Sequence, residues 1–336
     1  MINIQQQHLK NMTFIDLFAG LGGFRLALEA EGARCVFSSE WDKSVSEVYE
    51  QNFGDKPHGD ITKISEKEIP YHDILCAGFP CQAFSISGKQ RGFEDSRGTL
   101  FFDVARIVKE KKPKIVFMEN VKNFANHDEG RTLSVVKKTM EDLGYIFFHK
   151  VLNSLDYGIP QKRERVYMVC FRQDLNITDF DYPQKMELAT CVEDFLLPEN
   201  EVPKELFIQR KDTCFIAKNI INKEKKTIRV GTVNKGGQGE RIYSPKGIAI
   251  TLSAYGGGIF AKTGGYLINN KTRRLAPREC ARIMGYPESY QLCKNKNQAY
   301  KQLGNSVVIE VLQYILIEIA TTMHKKINEE SKSAVA

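Results

Sequence analysis

No two of the eight cysteines stand at the CxxC or Cys/His spacing of a zinc site or redox pair. A bound metal is therefore not expected, and the thiols fit a reducing compartment. Also missing is any run close to the roughly 18–20 apolar residues that a membrane span needs, so no membrane partner is expected. The first residues, MINIQQQHLKN, lack the apolar core of a secretory signal. Together these absences point to a cytoplasmic protein. Tryptophan occurs once in 336 residues, and there is no repeat or low-complexity tract. What remains is ordinary for a globular chain, with 42% hydrophobic and 26% charged residues.

The charge is more informative by place than by total. Between residues 231 and 274 there are seven Lys or Arg and one acid, Glu240, so that window carries +6 of the whole-chain +7. It also holds ten of the 25 glycines, all by residue 265, interleaved with Tyr243, Tyr255, Phe260 and Tyr266. A positive, glycine-rich, aromatic segment suits close approach to nucleic acid. A solvated surface loop would read the same on charge alone.

The first half alternates apolar runs with helical patterns. MTFIDLF, ARCVFSS, DILCAG, KIVFMEN, YIFFHKVL and RVYMVCF read as strands. GGFRLALEAEG, WDKSVSEVYEQNF, GTLFFDVARIVKE and TLSVVKKTMEDLG read as helices, the first closed by Gly32. Such alternation predicts a mostly parallel sheet with helices on both faces and working residues at the strands' carboxyl ends. The pattern breaks after Phe171, and 175–230 shows no sustained period. IAITL and GYLIN look like short strands, and helical character returns in PRECARIMG and VVIEVLQYILIEIATTM.

Chemistry-bearing residues fall at the predicted strand ends. Gly20, Gly22 and Gly23 separate the first strand from its helix, where backbone can lie against a ligand. Glu40 ends the second strand, placed for ribose hydroxyls, and the Trp41 indole could stack on a base. Asp60, expected at the start of the third strand region, could accept from an exocyclic amine. Cys81 follows strand ILCA within GFPCQ, on a loop outside the core, as a thiolate nucleophile requires. Cys35, Cys76, Cys170, Cys191, Cys214 and Cys280 read instead as small core residues, and Cys293 stays unassigned. Glu119 ends another strand, and Arg163 and Arg165 are two apart on an extended segment, so their guanidinia share a face. A thiol, a carboxylate and two arginines suit a planar polar base, and the arginines can lower the thiol's pKa.

These blocks, in this order, resemble the cytosine-C5 DNA methyltransferases, from FAGLGG through GFPCQ, ENV and QKRER to RECARIMGYP and YKQLGNSVV. The resemblance spans roughly Phe14 to Val308. It implies an α/β, Rossmann-like sheet that uses S-adenosyl-L-methionine, with a smaller, mostly β or irregular target-recognition domain inserted. The implied divisions are 12–190 for the first part of the catalytic and cofactor domain, 191–276 for recognition, and 277–327 for the return with its C-terminal helix. Cofactor contacts would come from Phe18, Gly20, Leu21 and Gly23, then from Glu40, Trp41, Asp60 and Ile61. Pro80 and the returning Asn305, Ser306 and Val307 would complete them. Cys81 would attack C6 of a cytosine flipped from duplex DNA, helped by Glu119, Arg163 and Arg165.

By the same resemblance, 85–99 would close over the flipped base, with Ser85 and Ser87 at the DNA. Gln238, Arg241, Thr251, Tyr255 and Gly258 would meet the duplex as well. The segment GGQGERIYSPKGIAITLSAYGGGIFAKTGGYL is similar to the recognition region of a family member that modifies the inner cytosine of GCGC. A monomer on DNA is expected, with a cognate restriction endonuclease as genetic partner only. Two rivals stand beside this reading: a tRNA cytosine-5 methyltransferase on the same fold, and an inactive DNA-binding homologue. A nicotinamide dehydrogenase would share the glycine loop but has no use for PCQ.

Overall fold

The structure, a computed structural model, describes residues 8–80, 100–216 and 222–333. Strand β1 (Thr13–Leu17) leads through the glycine loop into helix α1 (Gly23–Ala30) and strand β2 (Arg34–Ser39). Helix α2 (Lys43–Phe53), strand β3 (Ile74–Ala77), helix α3 (Leu100–Lys111) and strand β4 (Ile115–Val121) follow. Helices α4 (Lys122–Asn126) and α5 (Arg131–Asp142) precede strands β5 (Tyr145–Asn153) and β6 (Glu164–Arg172). These six strands form one sheet in the order β2-β1-β3-β4-β6-β5. β2, β1, β3 and β4 pair in parallel, while β6 runs antiparallel between β4 and β5.

Alternation along the central strands divides the core in two. Phe14, Ile74, Cys76, Ile115 and Phe117 face α1 and the C-terminal helices. Ile15, Leu75, Ala77, Val116 and Met118 face α3 and α5. A strand covered on both faces must be apolar at nearly every position, and β3, all four residues buried, is so.

The second sheet is smaller and holds β7 (Cys214–Phe215), β8 (Arg229–Thr232), β9 (Arg241–Tyr243), β10 (Gly265–Ile268) and β11 (Lys271–Arg274), in the order β11-β10-β9-β8-β7. Its core is Ile228, Val230, Val233, Ile242 and Phe260. The chain then returns to the first sheet in α6 (Pro277–Ile283), α7 (Lys296–Asn305) and α8 (Ile309–Ser333).

Three sequence expectations change here. IAITL is no strand: it makes one isolated bridge, Gln161 to Ala249, which ties it to the segment between β5 and β6. Cys214 is exposed on the outer strand β7, not core. The stretch Lys296–Glu329 does reach spanning length and hydropathy, but 56% of its apolar window is buried inside the fold. Val311, Leu312, Ile315, Leu316 and Ile319 of α8 lie in the main core, and the helix packs on α1. These positions recur at three- and four-residue spacing, the stripe by which a helix buries one face on a core.

Candidate active site

The carboxyl ends of β1 to β4 share one edge with the start of antiparallel β6, because Val121 pairs with Arg165. Glu119 on β4 is 8% exposed, and its Oε1 lies 3.1 Å from Arg165 Nε. Burial raises its carboxyl above the ordinary carboxylate range, and the guanidinia of Arg165 and Arg163 pull the other way. Burial prevails, so the proton stays available further toward neutrality than on a free glutamate.

The next residue, Asn120, had no assigned task. Its Nδ2 donates to the carbonyl of Phe79 (2.9 Å) and its Oδ1 accepts from the Val121 amide (2.8 Å). Phe79 is wedged against Phe101 and Phe124. Asn120 therefore fixes the chain entering Pro80 beside Glu119. Cys81, Ser85 and Ser87 lie outside the described residues.

The two arginines do not act alike. Arg165 faces Glu119, whereas Arg163 is 3% exposed and reaches away along the molecule. Its Nη1 donates to Leu252 O (3.2 Å), and its Nη2 to Gly304 O (3.0 Å) and Ser306 O. Arg163 thus joins the start of β6 to the segment at Leu252, between β9 and β10, and to the C-terminal return, and touches Glu119 only through its field. Hydrogen-bonding class alone could not separate the two from sequence.

On the neighbouring strands the glycine loop is held open. Phe18, Gly20 and Gly22 have φ of +57°, +56° and +69°. Glu40 organises the loop, accepting from the amides of Gly20 (3.0 Å) and Asp42 (2.8 Å). Trp41 precedes α2 as a 77% exposed indole, not a core residue. Asp60 does not begin a strand; it caps a single turn, Ile61–Lys63, that a bridge from Ser39 to His58 brings beside β2. One oxygen of Asp60 takes the Thr62 amide and hydroxyl, and the other lies 3.7 Å from Lys63 Nζ.

The C-terminal return closes the same loop. A Cβ on Gly23 would overlap Val307, Tyr290 donates to Leu21 O (2.7 Å), and Tyr286 bonds Ser306. Asn305 ends α7 beside them, exposed. An exposed indole, a carboxylate on the glycine loop and a part-free Asp60 fit an adenosine with its ribose. Glu40, Trp41 and Asp60 would hold it, with Ile61 beneath.

Across the second sheet, Gln238 and Tyr255 are exposed, and Tyr255 is 72% so. Arg241 opens β9, and Thr251 bonds the carbonyl of Lys162. The charge here is smaller than the sequence count implied. Arg273 is 2% exposed in a two-bonded pair with Glu279, and Lys271 pairs with Glu199.

A doubly wound sheet with an antiparallel strand beside β4, a glycine loop held by Glu40 and a buried carboxyl–guanidinium pair fit an S-adenosylmethionine-dependent methyltransferase. The chain belongs to the C-5 cytosine-specific DNA methylase family, which it matches over residues 12–321. It is 68% identical to the type II methyltransferase M.HhaI of Haemophilus parahaemolyticus, over 97% of this chain and 99% of that protein. It is 42% identical to M.HaeII of Haemophilus aegyptius, covering 91% and 92%. Among solved structures, Schizosaccharomyces pombe Dnmt2 shares the fold with a TM-score of 0.68 at 20% identity, covering 92% of this chain and 98% of that one. Entamoeba histolytica EhMeth does so with 0.64 at 19%, covering 93% and 98%. The protein is a type II cytosine-C5 DNA methyltransferase that uses S-adenosylmethionine, closely similar to M.HhaI.

Proposed function

We propose that this enzyme methylates the inner cytosine of GCGC in duplex DNA, through a covalent adduct of Cys81 with a base turned out of the stack. The observation that carries the chemistry is the buried Glu119–Arg165 pair at the strand edge where the chain enters Pro80. Cytosine C5 is a poor nucleophile, so the ring needs activation. Addition of the Cys81 thiolate to C6 would form a C–S bond and push electrons toward C5. Glu119, whose pKa burial raises, would give or share a proton at N3. Arg165 would hold O2 and offset charge on the ring. Arg163 supports that reading as the group that holds the strand in place.

S-adenosylmethionine, when bound, supplies an electrophilic methyl group on sulfur. Loss of the C5 proton to solvent water and departure of the Cys81 thiolate would then restore the aromatic base. C5 lies inside the stack in a duplex, so the reaction needs extrusion of the target. The GCGC target is supported by the 68% identity to M.HhaI, which covers the recognition segment. The enzyme acts as a monomer on DNA, in the cytoplasm, with an endonuclease as genetic partner only.

Plasmid modified by the protein should resist an endonuclease blocked by GCGC methylation; full cleavage would remove that target. Cys81→Ala should abolish methyl transfer and leave DNA binding within a few-fold. Turnover by that variant would end the covalent mechanism.

A further inference from the structure

Two exposed loops of the second sheet, 233–241 and 253–262, meet backbone to backbone. The first is shaped by Glu240, whose Oε1 accepts from Asn234 Nδ2 (2.7 Å) and whose Oε2 accepts from the Gly237 amide (2.8 Å). The second is closed at its root by the Ser253 amide donating to Lys262 O (3.1 Å) and supported by Arg274 Nε donating to Ile259 O (2.6 Å). Between them, the Phe260 amide donates to Gly239 O (2.8 Å).

At this junction Gly239 and Gly258 leave no space for a side chain, whereas a Cβ on Gly257 would meet nothing. A Cβ on Gly239 would overlap the carbonyl of Gly257 and lie 3.3 Å from Gly258 Cα. A Cβ on Gly258 would lie 2.6 Å from Gly239 O and 3.0 Å from Gly239 Cα. Gly258 also has φ of +102°, a region that strains other residues. Gly239, by contrast, has φ of −86°, which any residue tolerates, so its lack of a side chain answers to space alone. On the far side, a Cβ on Gly304 of α7 would overlap the backbone of Ser253 and Ala254, so the second loop is seated as closely on the catalytic domain.

We propose that the two loops form one rigid reading unit, locked through Gly239 against Gly257 and Gly258, and that this lock fixes Gln238 relative to Tyr255 when bases are discriminated. Gly239 and Gly258 are then positioning residues for specificity, although neither has a side chain to read with. Loops that moved independently would each need ordering at the duplex, and preorganisation removes that cost. The inference rests on the reading that this face meets DNA.

The test uses the full chain with Gly239→Ala, Gly258→Ala and the double variant. Single-turnover methylation is measured on the duplex that the wild type modifies and on duplexes altered at one base pair. Tm and cofactor affinity are recorded alongside. Each single variant should lose about tenfold in discrimination, with cofactor affinity within twofold, and the double should be no worse than the poorer single, because either alanine opens the same lock. Multiplying losses in the double would overturn the lock while leaving the DNA face intact. Wild-type discrimination in both single variants would overturn it too. Gln238→Ala separates that result from failure of the DNA-face reading, since it must impair discrimination if this face meets DNA at all. If Gly258→Ala fails to fold, Gly239→Ala with an unchanged Tm still decides, because its backbone is unstrained.

Discussion

Glu119 and Glu310 are both buried carboxyls, and their neighbours make them opposites. Glu119 has Arg165 at 3.1 Å and the field of Arg163, yet burial still raises its pKa. Glu119→Gln keeps the shape but cannot deliver a proton, so the methyl-transfer step should slow by about 10²–10⁴-fold with DNA affinity nearly unchanged. The wild-type rate should fall as pH rises through the raised pKa, and the variant should lack that limb; rapid-quench rates against pH check both. Glu310, in the first turn of α8, has no partner for Oε2 among the described residues, and a Cβ on Gly285 would overlap its carboxylate. Burial pushes it up to about 7. Its folded pKa exceeds its ordinary value of 4.5, so the folded state holds the extra proton and stability drains away as pH rises from about 5 through about 7. Glu310→Gln should therefore unfold at higher urea than the wild type at pH 8, by about 3 kcal/mol, and by less than about 1 kcal/mol at pH 5. A parallel offset at both pH values would show that the carboxyl is not the cause.

At the scale of elements, the arrangement turns on how β6 is fastened. Arg163, the residue before it, holds carbonyls of two distant segments: Leu252 O, and Gly304 O with Ser306 O. Lysine keeps the charge but not the fork, so Arg163→Lys leaves buried carbonyls unmet and should cost about 2–4 kcal/mol in urea unfolding. A cost under about 0.5 kcal/mol would mean that the carbonyls find other donors. β1 to β4 and their helices were legible in the sequence, because strands buried on both faces and amphipathic helices leave different periods. The glycine loop, Glu40 and Glu119 followed from their positions at strand ends. IAITL was misread because a buried connector is as apolar as a strand; its amides donate to Lys226, Pro160 and Gln161, not to a neighbour in the sheet. Trp41 fell on a helical spacing by coincidence, since the helix begins after the Asp42 cap. Asn120 and Gly304 act through backbone contacts between distant segments, which no local pattern records.

For the whole molecule the question is how a chain of modest charge holds a polyanion. The +6 of residues 231–274 suggested one basic surface, but its members divide. Arg273 is closed inside the second sheet's junction with α6, where Glu279 also accepts from the amides of Leu197 and Ala276. Lys235 is exposed within the first reading loop and Arg241 ends that loop half-buried, while Lys262, half-buried at the foot of the second, donates to Asn297 O. DNA binding by counterion release depends on phosphates met, at a slope of about 0.9 per contact. Lys235→Gln and Lys262→Gln, if each meets a phosphate, should each flatten the plot of log affinity against log salt by about one unit without altering Tm by more than a few degrees. Arg273→Met should do the reverse. It leaves a buried carboxylate without its partner, which costs about 3–5 kcal/mol, and the surviving folded fraction should keep the wild-type salt slope. Titrating all three variants against one duplex between 50 and about 200 mM salt distinguishes a charge that binds from a charge that folds. A flattened slope for Arg273→Met would place that guanidinium at the DNA after all.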